Sequence, residues 1–70
     1  MARFIVDKQA QPSGQHTIHN LGTFCPDIPN SQHQKNLGNF PTSKAAVREA
    51  KKYYDDVNGC EKCSRDSYVA

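Results

Sequence analysis

Three cysteines, one at position 25 and two spaced as Cys60-Glu61-Lys62-Cys63, constrain this chain more than any other feature. Seventy residues make a single domain, and a domain of that size hides only about 60% of the surface its unfolded chain exposes. The core formers are three Ile, two Leu, four Val and three Phe, with no Trp, below the roughly 20% share of these aliphatic and phenyl residues at which disorder is suspected. A net charge of +2 is too small for disorder driven by charge repulsion. So short a chain with so thin a core needs a staple, and the choices are disulfides, a structural metal or oligomerisation.

Three thiols cannot all pair within one chain, and no basic segment followed by an apolar stretch and a small-residue cleavage site opens the sequence. The longest large-apolar run is Phe4-Ile5-Val6, far from the roughly 20 residues needed to cross a bilayer. A soluble, cytoplasmic monomer with no membrane partner is expected. In a reducing cytosol, closely spaced cysteines read as metal ligands or redox groups before they read as disulfides.

Residues 3–7 (RFIVD) and 15–20 (QHTIHN) are short β-prone runs on either side of Gln11-Pro12-Ser13-Gly14, a turn-forming tetrad, and predict a β-hairpin. Residues 21–35 contain Gly22, Pro26, Pro29 and Asn30 and read as a loop through Cys25. Leu37-Gly38-Asn39-Phe40 suggests a short third strand. A helix is expected from Ser43 to Asp56, capped by Thr42 or Ser43, with Ala46, Ala50, Tyr53 and Val57 on its apolar side and Val47 and Tyr54 beside them. Asn58-Gly59 then reads as a left-handed helix stop leading into Cys60. The expected fold class is α+β: a zinc-stapled domain over residues 1–64, in which a hairpin and a short third strand pack on one C-terminal helix, with a CxxC knuckle after it. Residues 65–70 are expected to be a flexible tail.

A CxxC lets two thiolates bend round one cation, with each sulfur about 2.3 Å from Zn²⁺. The redox alternative expects the first Cys at a helix N-terminus near a βαβ pattern, which is absent here. A structural zinc site takes four ligands. Cys60 and Cys63 supply two, and Cys25 is the remaining cysteine. His16, His19 and His33 compete for the fourth place. His19 is favoured, because five residues including Gly22 let the chain turn back to present it with Cys25. His16 falls on the opposite face of a regular strand. His33 stays a competitor, weighed against an ordinary solvated loop histidine.

The pattern I-H-N-x4-C-P-D-I-P (residues 18–29), then N-L-G-N-F (36–40), A-A-V-R-E-A-K in the helix and V-N-G-C-E-K-C (57–63), is similar to a family of small uncharacterised bacterial and phage-borne proteins with a zinc-binding look. More distantly, Gly22-Thr23-Phe24-Cys25, Phe40, the alanine-rich helix and Cys60/Cys63 resemble the metal-binding domain of the Ada DNA-repair protein. In Ada-like domains four thiolates hold zinc and one accepts a methyl group from a DNA phosphotriester. Cys25 matches the acceptor's place, whereas Pro29 stands where the second Ada cysteine would be. One neutral His in place of a thiolate makes the remaining sulfurs poorer nucleophiles.

The functional expectation is a non-enzymatic Zn²⁺ module that binds a macromolecule, either nucleic acid or protein. No Ser/His/Asp, paired-carboxylate or phosphate-loop pattern is present. Lys44, Arg48, Lys51, Lys52 and Lys62 can supply phosphate contacts, although Glu49, Asp55, Asp56 and Glu61 interrupt them. The alternatives are an Ada-like thiol methyl acceptor and a CxxC redox protein.

Overall fold

Alternating apolar and polar residues give the first two strands their faces. In the computed structural model, which describes residues 1–69, β1 (Ala2–Asp7) and β2 (His16–Asn20) form the expected antiparallel hairpin. Phe4 lies opposite Asn20, Ile5 opposite His19 and Val6 opposite Ile18. Phe4, Val6 and Ile18 pack with Leu37, Ala46, Ala50 and Val57 in one buried cluster beneath the helix. Ile5 and His19 are equally buried but stand outside that cluster, and alternation assigns them to the other face of the sheet.

The third strand is longer than its sequence pattern suggests. β3 (Gln34–Phe40) runs antiparallel to β1 along its whole length. Phe4 faces Gly38 and Ile5 faces Asn36, so Leu37 is an extra, unpaired residue. Gly38 takes φ +107°, a conformation that favours glycine, and the resulting bulge turns Leu37 into the core.

The helix α1 (Ser43–Ala50) begins as expected, with the Ala45 N–H donating to Thr42 Oγ1 at 3.3 Å. Ala46 and Ala50 have no accessible surface, so the helix backbone lies close against the sheet. Val47 and Tyr54 pack at the edge of the cluster, whereas Tyr53 is 51% exposed, with Lys35 Nζ 4.2 Å from its ring centre. The expected extent to Asp56 is corrected: α1 ends at Ala50. Lys52 and Tyr53 N–H groups donate to the carbonyls three residues back, Glu49 and Ala50, which closes the last turn tightly. Tyr and Asp, which dominate residues 53–56, are weaker helix formers than the Ala, Lys and Arg before them.

Residues expected to end the helix instead form β4 (Val57–Gly59), which pairs parallel to β2 with Val57 opposite His16 and Gly59 opposite Ile18. The result is an α+β fold with a mixed four-stranded sheet of order β3-β1-β2-β4 and a single α-helix among the described residues. The helix is therefore not the last element. The left-handed stop at Asn58-Gly59 is also corrected, since neither residue has positive φ. Gly59 is required for close approach: a Cβ there would stand 2.6 Å from the Ser64 carbonyl oxygen and collide with Ser67.

Ser67 belongs to a 3₁₀ turn, Arg65–Ser67, in the segment expected to be a flexible tail. That segment is docked as far as Val69, and Ala70 lies outside the described residues. Ser43 Oγ donates to the Asp66 carboxylate and sits 2.8 Å from Ser67 Oγ. The Ser43 hydroxyl, with backbone N–H groups of Ser43 and Lys44, holds Asp66 below the usual carboxylate range. A residue from the tail thus meets the free amides and positive dipole end of α1. Gly59→Ala should push the 3₁₀ turn away from β4 at a cost of about 1–3 kcal/mol, lowering the melting temperature by several degrees. An unchanged melting temperature in thermal denaturation would contradict this packing.

Candidate metal centre

Each of the four candidate ligands is delivered by a different piece of local structure. His19 sits in β2, one residue before its end. The parallel ladder continues past β4, with the Cys60 N–H donating to the Ile18 carbonyl at 3.0 Å, and this sets Cys60 beside His19. From Cys60 the chain turns, the Ser64 N–H bonding back to the Cys60 carbonyl at 2.9 Å, and the turn carries Cys63. After β2, the Asn20 side-chain oxygen accepts from the Gly22 N–H at 2.7 Å, a local side-chain turn that reverses the chain and brings in Cys25.

The four donor atoms lie within 4.8 Å of one another. Cys25 Sγ is 3.7 Å from Cys60 Sγ and 4.0 Å from His19 Nδ1, and Cys63 Sγ is 3.6 Å from the same nitrogen. All three cysteines are free thiols, with Cys25 and Cys60 buried and Cys63 partly so. This His/Cys cluster can hold a metal ion. Backbone N–H groups also reach the sulfurs: Lys62 donates to Cys60 Sγ and Asn20 to Cys63 Sγ, both at 3.4 Å, and the Ser64 hydroxyl is 3.9 Å from Cys63 Sγ. Such donors favour the charged thiolate over the thiol. Lys62 Nζ is paired with Asp27 at 3.1 Å, tying the Cys25 loop to the turn between Cys60 and Cys63. Both side chains are half-exposed, so the pair orients the loops more than it stabilises them.

Burial lowers the His19 pKa, opposed by the negative charges of Asp7 and Asp27. A neutral imidazole, the ligating form, is therefore favoured. Burial pushes the Cys63 thiol up to about 12, opposed by the Asn20 N–H and reinforced by the neighbouring Cys25 and Cys60. Cys63 thus resists ionisation without a cation, so binding a metal there must expel its proton.

The other histidines are elsewhere. His16 stacks on Tyr54 with ring centres 3.8 Å apart, on the helix side of the sheet, and its Nδ1 pairs with the Asp7 carbonyl at 2.9 Å. His33 closes the 3₁₀ turn Ser31–His33 and its ring meets Gln32. Asn20, Asp27 and Ser64 are the supporting residues that sequence reasoning missed. Only Asn20 carried a signal, as an Asn two residues before a Gly at a strand end. A cleft of about 730 Å³ opens beside His19 and Cys60, on the sheet face away from α1. Lys44, Arg48, Lys51 and Lys52 are exposed on or just after α1. Among the described residues no helix is long and apolar enough to cross a membrane.

No protein-family model matches the chain, and neither a curated protein nor a solved structure does. The geometry of the cluster therefore carries its own interpretation.

These two shifts predict how the metal-free protein responds to pH. His19 is depressed, so its share of stability is present above the ordinary histidine value of 6.5 and is lost as pH falls through it. Cys63 is raised, so its share is present below the ordinary thiol value of 9.0 and is lost between there and about 12. Metal-free protein should be most stable between these limits. Cys63→Ser should flatten the alkaline side in melting curves recorded across pH; an alkaline limb identical in the variant would refute the assignment.

Proposed function

We propose that His19, Cys25, Cys60 and Cys63 hold one structural Zn²⁺, and that the domain so stapled is a non-enzymatic module for recognising nucleic acid. The observation that carries the metal reading is the convergence of four donor atoms within 4.8 Å from segments far apart in sequence. A tetrahedral ion with Zn–S near 2.3 Å and Zn–N near 2.0 Å has S···S edges of about 3.8 Å and S···N edges of about 3.6 Å. The observed 3.7 Å and 3.6 Å match those edges, and the 4.0 Å separation is slightly longer. Two soft-ligand cysteines on a tight turn, the CxxC knuckle of the sequence reading, favour zinc over calcium or magnesium, which prefer oxygen. Four protein ligands leave no open position for substrate, which supports a structural role. Thiols kept ready for a metal fit a reducing, cytoplasmic setting.

The nucleic-acid reading rests on charge. Lys44, Arg48 and Lys51 follow one another at four- and three-residue spacing, so they form a single exposed stripe along α1. None of them makes a salt bridge among the described residues, whereas Lys52 is taken by Glu49 at 3.1 Å. The Ada-like pattern in the sequence supports the same partner class. It also supports a second reading, favoured by one detail: Cys60 and Cys63 each receive a backbone N–H donor, but among the described residues Cys25 receives no backbone donor. The least neutralised sulfur is the best nucleophile, so methyl acceptance, if this chain performs it, falls to Cys25. Incubation with methylated DNA would then add one methyl group to Cys25 by mass.

Native mass spectrometry should find one zinc per chain, lost in His19→Ala and retained in His33→Ala. Chelation should lower the melting temperature of the wild-type protein sharply, because it removes a zinc-binding contribution of about 10–16 kcal/mol. Binding to duplex DNA should weaken with salt, and Ala at Lys44, Arg48 and Lys51 together should reduce the log–log salt slope by about 3. A zinc-free native protein defeats the first claim; salt-independent or absent DNA binding defeats the second.

A further inference from the structure

Where the docked tail runs beside α1, the two leave a groove of about 490 Å³ that the metal centre does not use. Its walls include Lys44, Val47 and Arg48 from the helix and Asp66, Tyr68 and Val69 from the tail. Lys44 and Arg48 are four residues apart on one helix face and both are exposed. Neither makes a salt bridge among the described residues. Asp66 is the one carboxylate in the walls, and it is already engaged by the Ser43 hydroxyl and the amides that open α1. Two cations against one occupied carboxylate make the groove attractive to an anion.

Its apolar part is a second, independent feature. Tyr68 is 40% exposed and Val69 72%, although their segment is tied down by the Asn58 carboxamide and by Ser43. Val47 forms the opposite wall and packs on the core beneath it. An aromatic ring and two valines thus border the same space as the two cations.

A fitting ligand carries a negative charge and, close to it, a flat apolar group. Inorganic phosphate satisfies the cations alone, and an acidic peptide brings carboxylates without the flat surface. A nucleotide has both, a phosphate and, one sugar away, a base whose π-face stacks on an aromatic ring whatever its sequence. The bases of a duplex are already paired and stacked inside it. We infer that this groove takes one unpaired base of a single-stranded nucleic acid, stacked on Tyr68 between Val47 and Val69, with the adjoining phosphates on Lys44 and Arg48. Lys51 extends the stripe to about 10 Å along α1, so the strand is followed beyond that one nucleotide. The inference rests on the nucleic-acid reading and sharpens it: the single strand, rather than the duplex, is the preferred form.

Fluorescence anisotropy of the full-length chain tests this with four probes: a short oligothymidylate, its duplex with oligoadenylate, the same strand with abasic sites, and oligoglutamate of equal length. The single strand should bind about fivefold or more tighter than the duplex, the lower end of what stacking one base on an aromatic side chain supplies. Abasic sites should remove that advantage. Tyr68→Ala should remove it as well and Tyr68→Phe should keep it, with duplex affinity unchanged in both. Ala at Lys44 and Arg48 together should weaken both nucleic acids and lower the single-strand salt slope by about 1.4. Duplex bound as tightly as the single strand, or an abasic strand bound as tightly as the intact one, overturns the groove assignment and leaves the nucleic-acid reading intact. Oligoglutamate bound as tightly as oligothymidylate, or no binding of either nucleic acid, overturns both.

Discussion

Three sulfurs and an imidazole meet where β2 and the residues after β4 run side by side, and the remaining loops are arranged around that meeting. Cys25 and Cys60 are 35 residues apart and Cys63 and His19 are 44 apart. A cross-link over such spans removes more freedom from the unfolded chain than a short one, by about 0.6 kcal/mol for each doubling of the span. Residues 21–30 contain no helix or strand, and Cys25 is the only buried residue among them. The loop is thus held at its centre by one side chain. Without a cation that side chain contributes little, because burying a thiol beside two others gives only weak S–H contacts.

The sheet separates two kinds of cohesion. Below it, Phe4, Val6, Ile18, Leu37 and Val57 meet the alanines of α1 in an ordinary apolar core. Above it, Ile5 and His19 share a register position on the face that holds the sulfurs. A one-residue slip between β1 and β2 would exchange these faces, burying His19 under the helix and withdrawing the imidazole from the cluster. Apolar packing therefore fixes the registry that aims His19 at the sulfurs, where an ion held by the four donors would close the loops that the core does not reach.

Much of this was legible in residue order. The hairpin followed from RFIVD and QHTIHN around a Pro-Ser-Gly turn, and His19 was separable from His16 by strand alternation alone. His16 does fall on the helix face, against Tyr54. The end of α1 was not legible, because Tyr53, Tyr54 and Val57 continue the helical spacing that Ala46 and Ala50 begin. Only the pairing of Val57-Asn58-Gly59 with β2, a partner 41 positions away, decides between helix and strand. Long-range pairing leaves no local trace in a segment of three residues. Gly59 was similarly ambiguous: a glycine after a helix suggests a left-handed cap, whereas here it makes room for the Ser64 carbonyl and Ser67.

Beyond the cysteine turn, the docked tail follows from what β4 leaves unpaired. As the outer strand of the sheet, β4 needs something against its free side. Asn58 provides it through its side chain: Oδ1 accepts from the Val69 N–H at 3.0 Å and Nδ2 donates to the Val69 carbonyl at 2.9 Å. A carboxamide offers the same donor and acceptor as a peptide unit, so the last described residue is bonded as a neighbouring strand would be. Asp66, bonded to Ser43 at the start of α1, fixes the same segment to the helix. The Cys60–Ser64 turn is consequently held at both ends, by the β2 ladder before it and by the docked segment after it. A turn held in this way keeps two sulfurs aimed at one point before any ion arrives, and that preorganisation is what outer-shell contacts supply to a metal site.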